Sequence, residues 1–105
     1  MERFMWKAKL LPGMKAEYIK RHDAIWPEQT ELLNKAGIHN YSIWITGDEI
    51  IGYYEAEKGI EFASKTQAGS PIVDRWNDYM KDVMVMEKDP ATGTHYQLEQ
   101  VFFHP

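Results

Sequence analysis

Residues 40–57 read NYSIWITGDEIIGYYEAE, and this stretch decides the fold. Its first part alternates in the manner of a strand, and one side carries Tyr41, Ile43 and Ile45. Gly47 and Asp48 provide a tight turn, after which residues 50–57 form a second apolar run. Two strand patterns joined by a short glycine-containing turn are typical of a β-hairpin.

The segment before the hairpin predicts one strand and two helices. Residues 3–11 alternate with a period of two, as in a half-buried strand, before Pro12 and Gly13 interrupt the pattern. The next stretch spaces Met14, Tyr18 and His22 four residues apart, so that they share one helical face. A second helix is predicted from Pro27, which suits a first helical turn, to Gly37, which suits a helix end.

The segment after the hairpin repeats this order. A weak helical pattern covers residues 60–64, and a clearer helix opens at Ser70 with Pro71 in its first turn. Residues 87–94 indicate a loop, and residues 96–103 a final strand.

Strand, helices, strand, repeated once, predicts an α+β fold of the ferredoxin-like, split βαβ type with a four-stranded antiparallel sheet. Residues 1–105 are expected to form a single domain. Such a sheet leaves one face free of helices, and we expect a homodimer in which these faces pack together. Phe4, Trp6 and Ile43 are predicted to lie on the face that would otherwise be exposed.

Composition excludes several classes of function. The net charge of −4 and the absence of a basic cluster argue against a nucleic-acid partner. No apolar run approaches the ~20 residues of a membrane span, and residues 1–11 lack the unbroken apolar stretch expected of a signal peptide. The absence of cysteine fits a reducing compartment, so a cytoplasmic location is expected.

The sequence points to acid and base chemistry by unassisted side chains. The four histidines lack metal-ligand spacing, and there is no phosphate-binding loop or nucleophile elbow. We therefore expect neither a metal nor a cofactor. His22 is the candidate general acid or base, because it ends a predicted helix beside Asp23 and near Tyr18. The alternative is a surface histidine that interacts with the helix dipole.

Three aromatic side chains, Tyr18, Tyr41 and Trp76, have two interpretations. Their positions on apolar faces favour packing in the core, whereas a sugar site would use the same rings and hydroxyls for stacking and hydrogen bonding. On spacing alone, packing in the core is the favoured interpretation of all three.

Several segments resemble the L-rhamnose mutarotase family. The run EYIKRHDAIWPE at residues 17–28 resembles the motif Y-x-x-R-H-x-x-I-W-P-E of that family, and GIHNYSI at residues 37–43 resembles its G-x-x-x-Y-x-I segment. Residues 75–84 are similar to its R-W-W-x-x-M-x-D-x-M region, and residues 98–105 to its closing strand. The resemblance covers nearly the whole chain.

The resemblance implies a dimeric α+β barrel that interconverts the α and β anomers of L-rhamnopyranose. It implies that His22 is the proton donor and that Tyr18, Tyr41 and Trp76 contact the sugar. Asn77 stands where the family commonly has a second tryptophan. The sequence therefore leaves the identity of the sugar undecided. The sequence does not identify the general base. A carboxylate or a water molecule could serve.

Other functions are compatible with the same fold. One is mutarotation of another sugar, such as L-fucose. A cofactor-free monooxygenase, a ligand-binding module and a pure interaction domain are others, because a fold alone does not define an activity.

Overall fold

The computed structural model of the chain describes residues 1–93 and 95–105. The strands are β1 (Glu2–Leu10), β2 (Ile38–Thr46), β3 (Glu49–Ala56), β4 (Met84–Val85) and β5 (Gln97–Leu98). The helices are α1 (Lys15–Asp23), α2 (Pro27–Lys35), α3 (Ile60–Ala68) and α4 (Pro71–Met80). In the described part of the chain, no helix is long and apolar enough to cross a bilayer.

All strands belong to one antiparallel sheet. β1 is central and pairs with β3 from Glu2 opposite Ala56 to Lys9 opposite Glu49, and β3 pairs with β2 through the predicted hairpin. On its other edge β1 pairs with both β4 and β5, so these two short strands share the fourth position of the sheet. The order β2, β3, β1, β4 confirms the ferredoxin-like arrangement.

The final strand is much shorter than predicted. Residues 96–103 alternate like a strand, but within one chain only Gln97–Leu98 pairs with β1. The tail from Glu99 to Pro105 is exposed and has no strand partner among the described residues. A strand exists only where a neighbour takes its backbone hydrogen bonds, and a sequence pattern does not supply that neighbour. The predicted loop over residues 87–94 is described up to Gly93, and Thr94 lies outside the described residues.

The helices begin and end at the predicted signals. The Ser70 hydroxyl accepts a hydrogen bond from the Ile72 amide at 3.2 Å and caps α4, while prolines occupy the first turns of α2 and α4. Gly37 has a φ of +72°, which suits glycine, and it follows the end of α2. The helix that was predicted weakly over residues 60–64 extends to Ala68.

The helices cover the sheet face that we expected to be open. Even-numbered residues of β1 point toward the helices, and the buried core beneath α1 and α4 includes Ala8 and Leu10. Phe4, Trp6 and Ile43 pack against buried core residues on this side. The prediction that these three lie on the uncovered face is therefore wrong. Alternation fixes which residues share a face of a strand, but it does not say which face the helices cover.

The opposite, outer face of the sheet carries a different apolar set. Met5 lies opposite Tyr53 in the β1–β3 register, and Trp44 lies opposite Ile51 in the β2–β3 register. Trp44 is 67% exposed. The exposed tail adds Val101 and Phe102 to the apolar surface of the protein.

One glycine in β3 makes room for an indole. Gly52 lies directly opposite Trp6, and a Cβ atom placed on Gly52 would overlap the indole ring of Trp6. The same indole donates a hydrogen bond from Nε1 to the Tyr41 hydroxyl at 3.0 Å. The missing side chain at position 52 therefore sets where both aromatic residues lie.

We expect Gly52→Ala to destabilise the protein by about 1 to 3 kcal/mol, because the added methyl group must displace the packed indole. Denaturant unfolding measures the change. Gly69→Ala is the matched control, since a Cβ there meets nothing within 4 Å. Equal stability of the two variants would contradict the close packing of Trp6 on Gly52.

Candidate active site

A cavity of about 380 Å³ lies between the sheet and the helices. Its walls include all the residues that the sequence singled out: Tyr18, His22, Tyr41, Trp76 and Asn77. They come from α1, β2 and α4, and the fold brings them together. The volume lies within the range of about 300 to 1,000 Å³ that small-molecule sites occupy.

The face of α1 predicted from its spacing forms one wall. The Tyr18 and His22 rings stack with centroids 4.2 Å apart, and His22 meets the ring of Trp76 edge to face at 5.4 Å. His22 is therefore half-buried between two aromatic rings. The alternative of a histidine exposed on the surface is wrong, because the rings of Tyr18 and Trp76 pack against the imidazole.

Arg21 fixes α1 relative to the end of α4. Its Nε donates to Glu17 at 2.8 Å, and its Nη1 donates to the Tyr79 carbonyl oxygen at 2.6 Å and to the Asp82 carboxylate at 2.9 Å. The guanidinium also lies 4.3 Å from the centre of the Tyr79 ring. Because Arg21 directly precedes His22, these contacts hold the imidazole against Trp76.

One hydrogen bond determines which nitrogen of His22 is available. Nδ1 lies 3.1 Å from the carbonyl oxygen of Tyr18, one helical turn earlier. A carbonyl only accepts, so Nδ1 carries the hydrogen and Nε2 remains for the cavity. Burial lowers the pKa of His22 below its ordinary value, although the Tyr18 carbonyl and Asp23 oppose the shift. The neutral imidazole, with its lone pair on Nε2, is therefore favoured at neutral pH.

Two tyrosine hydroxyls of the same cavity are kept protonated. Burial raises the pKa of Tyr18 and of Tyr41 above the ordinary range. The Tyr41 oxygen already accepts from Trp6, which leaves its own hydrogen to donate. The Tyr18 hydroxyl is buried and has no partner among the described residues. Leaving a buried hydroxyl unpaired costs about 1 to 3 kcal/mol of stability. A hydrogen bond from the Tyr18 hydroxyl to a ligand would therefore be favourable.

Trp76 and Asn77 form the α4 part of the wall. Trp76 belongs to the buried core, as one interpretation predicted, and it also lines the cavity. Trp26 supports it from behind in an edge-to-face contact at 5.0 Å. Asn77 is exposed at the rim and presents a short amide.

The sequence did not reveal other residues of the wall. Gln29 on α2, Gln67 on α3 and His95 near β5 all line the cavity. His95 is exposed and borders the cavity. No local pattern links these positions to His22. The one available signal for Gln29 was its position, since it directly follows the W-P-E segment of the family motif.

The acidic residues lie elsewhere. Among the described residues that line the cavity, none is aspartate or glutamate. The described residues also contain no group of three or more His, Asp or Glu side chains that could hold a metal ion. The polar groups of the described cavity wall are therefore imidazoles, hydroxyls and amides.

An aromatic cavity with several hydroxyl and amide groups, under the helices of a ferredoxin-like sheet, defines a class of site suited to a small polyhydroxylated ligand. Comparison with known proteins is more specific. Residues 3–104 match the sequence profile of the family described as L-rhamnose mutarotase. The chain belongs to the L-rhamnose mutarotase family.

Individual relatives agree with this assignment. The L-rhamnose mutarotase of Phocaeicola vulgatus is 40% identical over 103 residues, which is 97% of each chain. That of Bacteroides thetaiotaomicron is 42% identical over 90 residues, or 85% of this chain and 86% of the relative. Among solved structures, L-rhamnose mutarotase from Formosa agariphila superposes with a TM-score of 0.79 at 32% identity, covering both chains completely.

A more distant structure shows the fold alone. Tetracenomycin F2 cyclase from Streptomyces glaucescens, a type-II polyketide cyclase, superposes with a TM-score of 0.67 at 13% identity. It covers 100% of this chain and 98% of its own.

Proposed function

We propose that this protein is a cofactor-independent isomerase of carbohydrate metabolism that interconverts the α and β anomers of L-rhamnopyranose, with His22 as the proton donor to the ring oxygen. The observation that carries the proposal is the hydrogen bond from Nδ1 of His22 to the Tyr18 carbonyl, in a cavity that Tyr41 and Trp76 also line. The family of the chain supports the reaction and the sugar.

Anomer exchange requires one proton to move between two oxygens of the sugar. The hydrogen leaves the anomeric hydroxyl O1, the bond between C1 and the ring oxygen O5 breaks, and O5 receives a proton. O1 becomes the aldehyde oxygen. Rotation about the C1–C2 bond then presents the other face of the carbonyl, and the same steps in reverse close the ring as the other anomer.

One imidazole can perform both transfers. In the neutral form favoured by burial, Nε2 of His22 accepts the proton of O1. The imidazolium that results is the proton donor to O5. Because O1 and O5 are both bonded to C1, a single nitrogen reaches both with a small movement of the sugar. This pathway needs no separate carboxylate, in keeping with the described cavity lining.

The remaining predicted residues serve to bind the sugar. Trp76 offers an aromatic surface to the C–H face of the ring, and the Tyr18 and Tyr41 hydroxyls donate hydrogen bonds to sugar oxygens. Asn77 at the rim contacts the outer part of the ligand. Because Asn77 stands where the family commonly has a second tryptophan, the exchange assay of His22 compares L-rhamnose with L-fucose.

The same proposal includes a homodimer formed through the outer face of the sheet. Met5, Trp44, Ile51 and Tyr53 lie on that face, and Trp44 is largely exposed. These apolar side chains lie among the charged residues Arg3, Lys7 and Glu55 on a face that the described helices leave uncovered, and a second copy would offer the same mixed surface in self-complementary form. Two sheets packed in this way form the α+β barrel. The absence of cysteine supports a cytoplasmic location.

We expect His22→Asn to lower the rate of anomer exchange by about 10² to 10⁴, because an amide hydrogen-bonds but does not exchange a proton near neutral pH. Saturation-transfer NMR on the anomeric protons of L-rhamnose and L-fucose measures the rate. Loss of ring packing on Tyr18 and Trp76 should cost about 1 kcal/mol of stability, so the variant remains folded.

His39→Asn is the control for this experiment. His39 is exposed, pairs with Glu57 at 3.0 Å and does not line the cavity, so its replacement should leave exchange unchanged. A folded His22→Asn protein with the exchange rate of the wild type would exclude His22 as the proton donor.

We expect the wild type to sediment as a dimer at micromolar concentration and Trp44→Glu to sediment as a monomer, because a charge on the outer face opposes burial there. Ile19→Glu places the same charge on an exposed position of α1 and should remain dimeric. A wild type that is monomeric at micromolar concentration, or a Trp44→Glu variant that is dimeric, would contradict the outer face as the interface.

A further inference from the structure

Gln29 stands out among the residues of the cavity wall. It is the buried polar residue of the described core, only 9% exposed, and it lies in the first turn of α2. Its side-chain oxygen Oε1 is fully buried and has no hydrogen-bond partner among the described residues.

Such a group is unexpected unless something outside the chain bonds to it. Buried polar atoms in native proteins are paired in the great majority of cases, and an apolar side chain at this position would avoid the problem. Leu32 and Leu33 on the same helix show that α2 can present aliphatic side chains to the interior. Gln29 lines the cavity and the terminal torsion of a glutamine is broad, so a rotation of the amide turns this buried oxygen toward a ligand there.

Other polar groups of the same wall are already bonded within the protein. Nε2 of Gln67 donates to the Ala63 carbonyl oxygen at 3.1 Å, and the Tyr41 oxygen accepts from Trp6 at 3.0 Å. Gln29 and Tyr18 differ, since each has a buried side-chain oxygen without a partner in the described chain. The pair therefore offers an amide acceptor and a hydroxyl to the same cavity, which matches a sugar hydroxyl that both donates and accepts.

We propose that Gln29 is a specificity-determining residue whose side-chain oxygen accepts a hydrogen bond from a hydroxyl on C2, C3 or C4 of the bound pyranose. This inference rests on the proposed function for the identity of the ligand. An amide neither gains nor loses a proton near neutral pH, so its contribution is recognition and not proton transfer. Proton transfer to O1 and O5 stays with His22.

The test combines Gln29→Met with sugars that each lack one hydroxyl. Methionine keeps the length of the side chain and removes the acceptor. The probes are L-rhamnose and its 2-, 3- and 4-deoxy derivatives, with dissociation constants from NMR titration and exchange rates from saturation transfer. Gln29→Leu serves as a second apolar variant should the methionine variant fold poorly.

We expect Gln29→Met to weaken binding of L-rhamnose about 5- to 50-fold while kcat changes less than about 3-fold. One deoxy sugar should bind the wild type more weakly than L-rhamnose does, by a similar factor. Gln29→Met should not weaken the binding of that sugar further, since the sugar lacks the hydroxyl that bonds to Gln29. The melting temperature without sugar should be unchanged or higher, because the unpaired buried oxygen is removed. Asn34→Leu, an exposed amide on α2, is the control and should alter none of these quantities.

The possible outcomes separate the inference from the proposed function. A lower melting temperature with unchanged dissociation constants and an unchanged deoxy pattern would overturn the role of Gln29, because its oxygen would then be bonded within the free protein. Sugar binding that depends on Gln29, in a wild type that does not speed anomer exchange, would support the role of Gln29 and reject the mutarotase activity. A wild type that binds none of the four sugars would reject both.

Discussion

The close approach of Trp6 to the backbone of Gly52 is the constraint on which the cavity depends. Any side chain at position 52 would occupy the space of the indole, and the indole in turn orients the Tyr41 hydroxyl through its Nε1. These residues lie on the central β1–β3 pair and its neighbour β2, so the sheet itself forms the floor of the site. A floor built on paired strands is rigid, which suits a site that must hold several sugar hydroxyls at fixed positions.

The helical side of the cavity supplies the chemistry, and its central element is a neutral imidazole. The Tyr18 carbonyl fixes the tautomer of His22, and the surrounding rings of Tyr18 and Trp76 remove it from water and lower its pKa. A group that is uncharged at rest can take up one proton and return it to a neighbouring atom without leaving a net charge behind. That property fits a reaction that begins and ends with the same functional groups.

The sequence predicted those parts that are set by local rules. Alternation gave the faces of β1 and β2, the proline, serine and glycine signals gave the helix ends, and spacing by four placed Tyr18 and His22 together. Contacts between distant segments were not predictable in this way. Arg21 and Asp82 are 61 residues apart, and neither the choice of the covered sheet face nor the length of the last strand is encoded by a local pattern. Gln29 was missed because an amide on an amphipathic helix resembles any surface glutamine until its burial is known.

The pH dependence of kcat/KM for anomer exchange, measured alongside an NMR titration of the His22 ring, tests the central claim most directly. If neutral His22 starts the reaction, kcat/KM is low in acid, rises through a pKa below the ordinary histidine value of about 6.5 and is constant above it. The kinetic pKa should equal that of the His22 ring. A rate that falls as the pH rises through this range, or that ignores the titration of His22, would contradict the account.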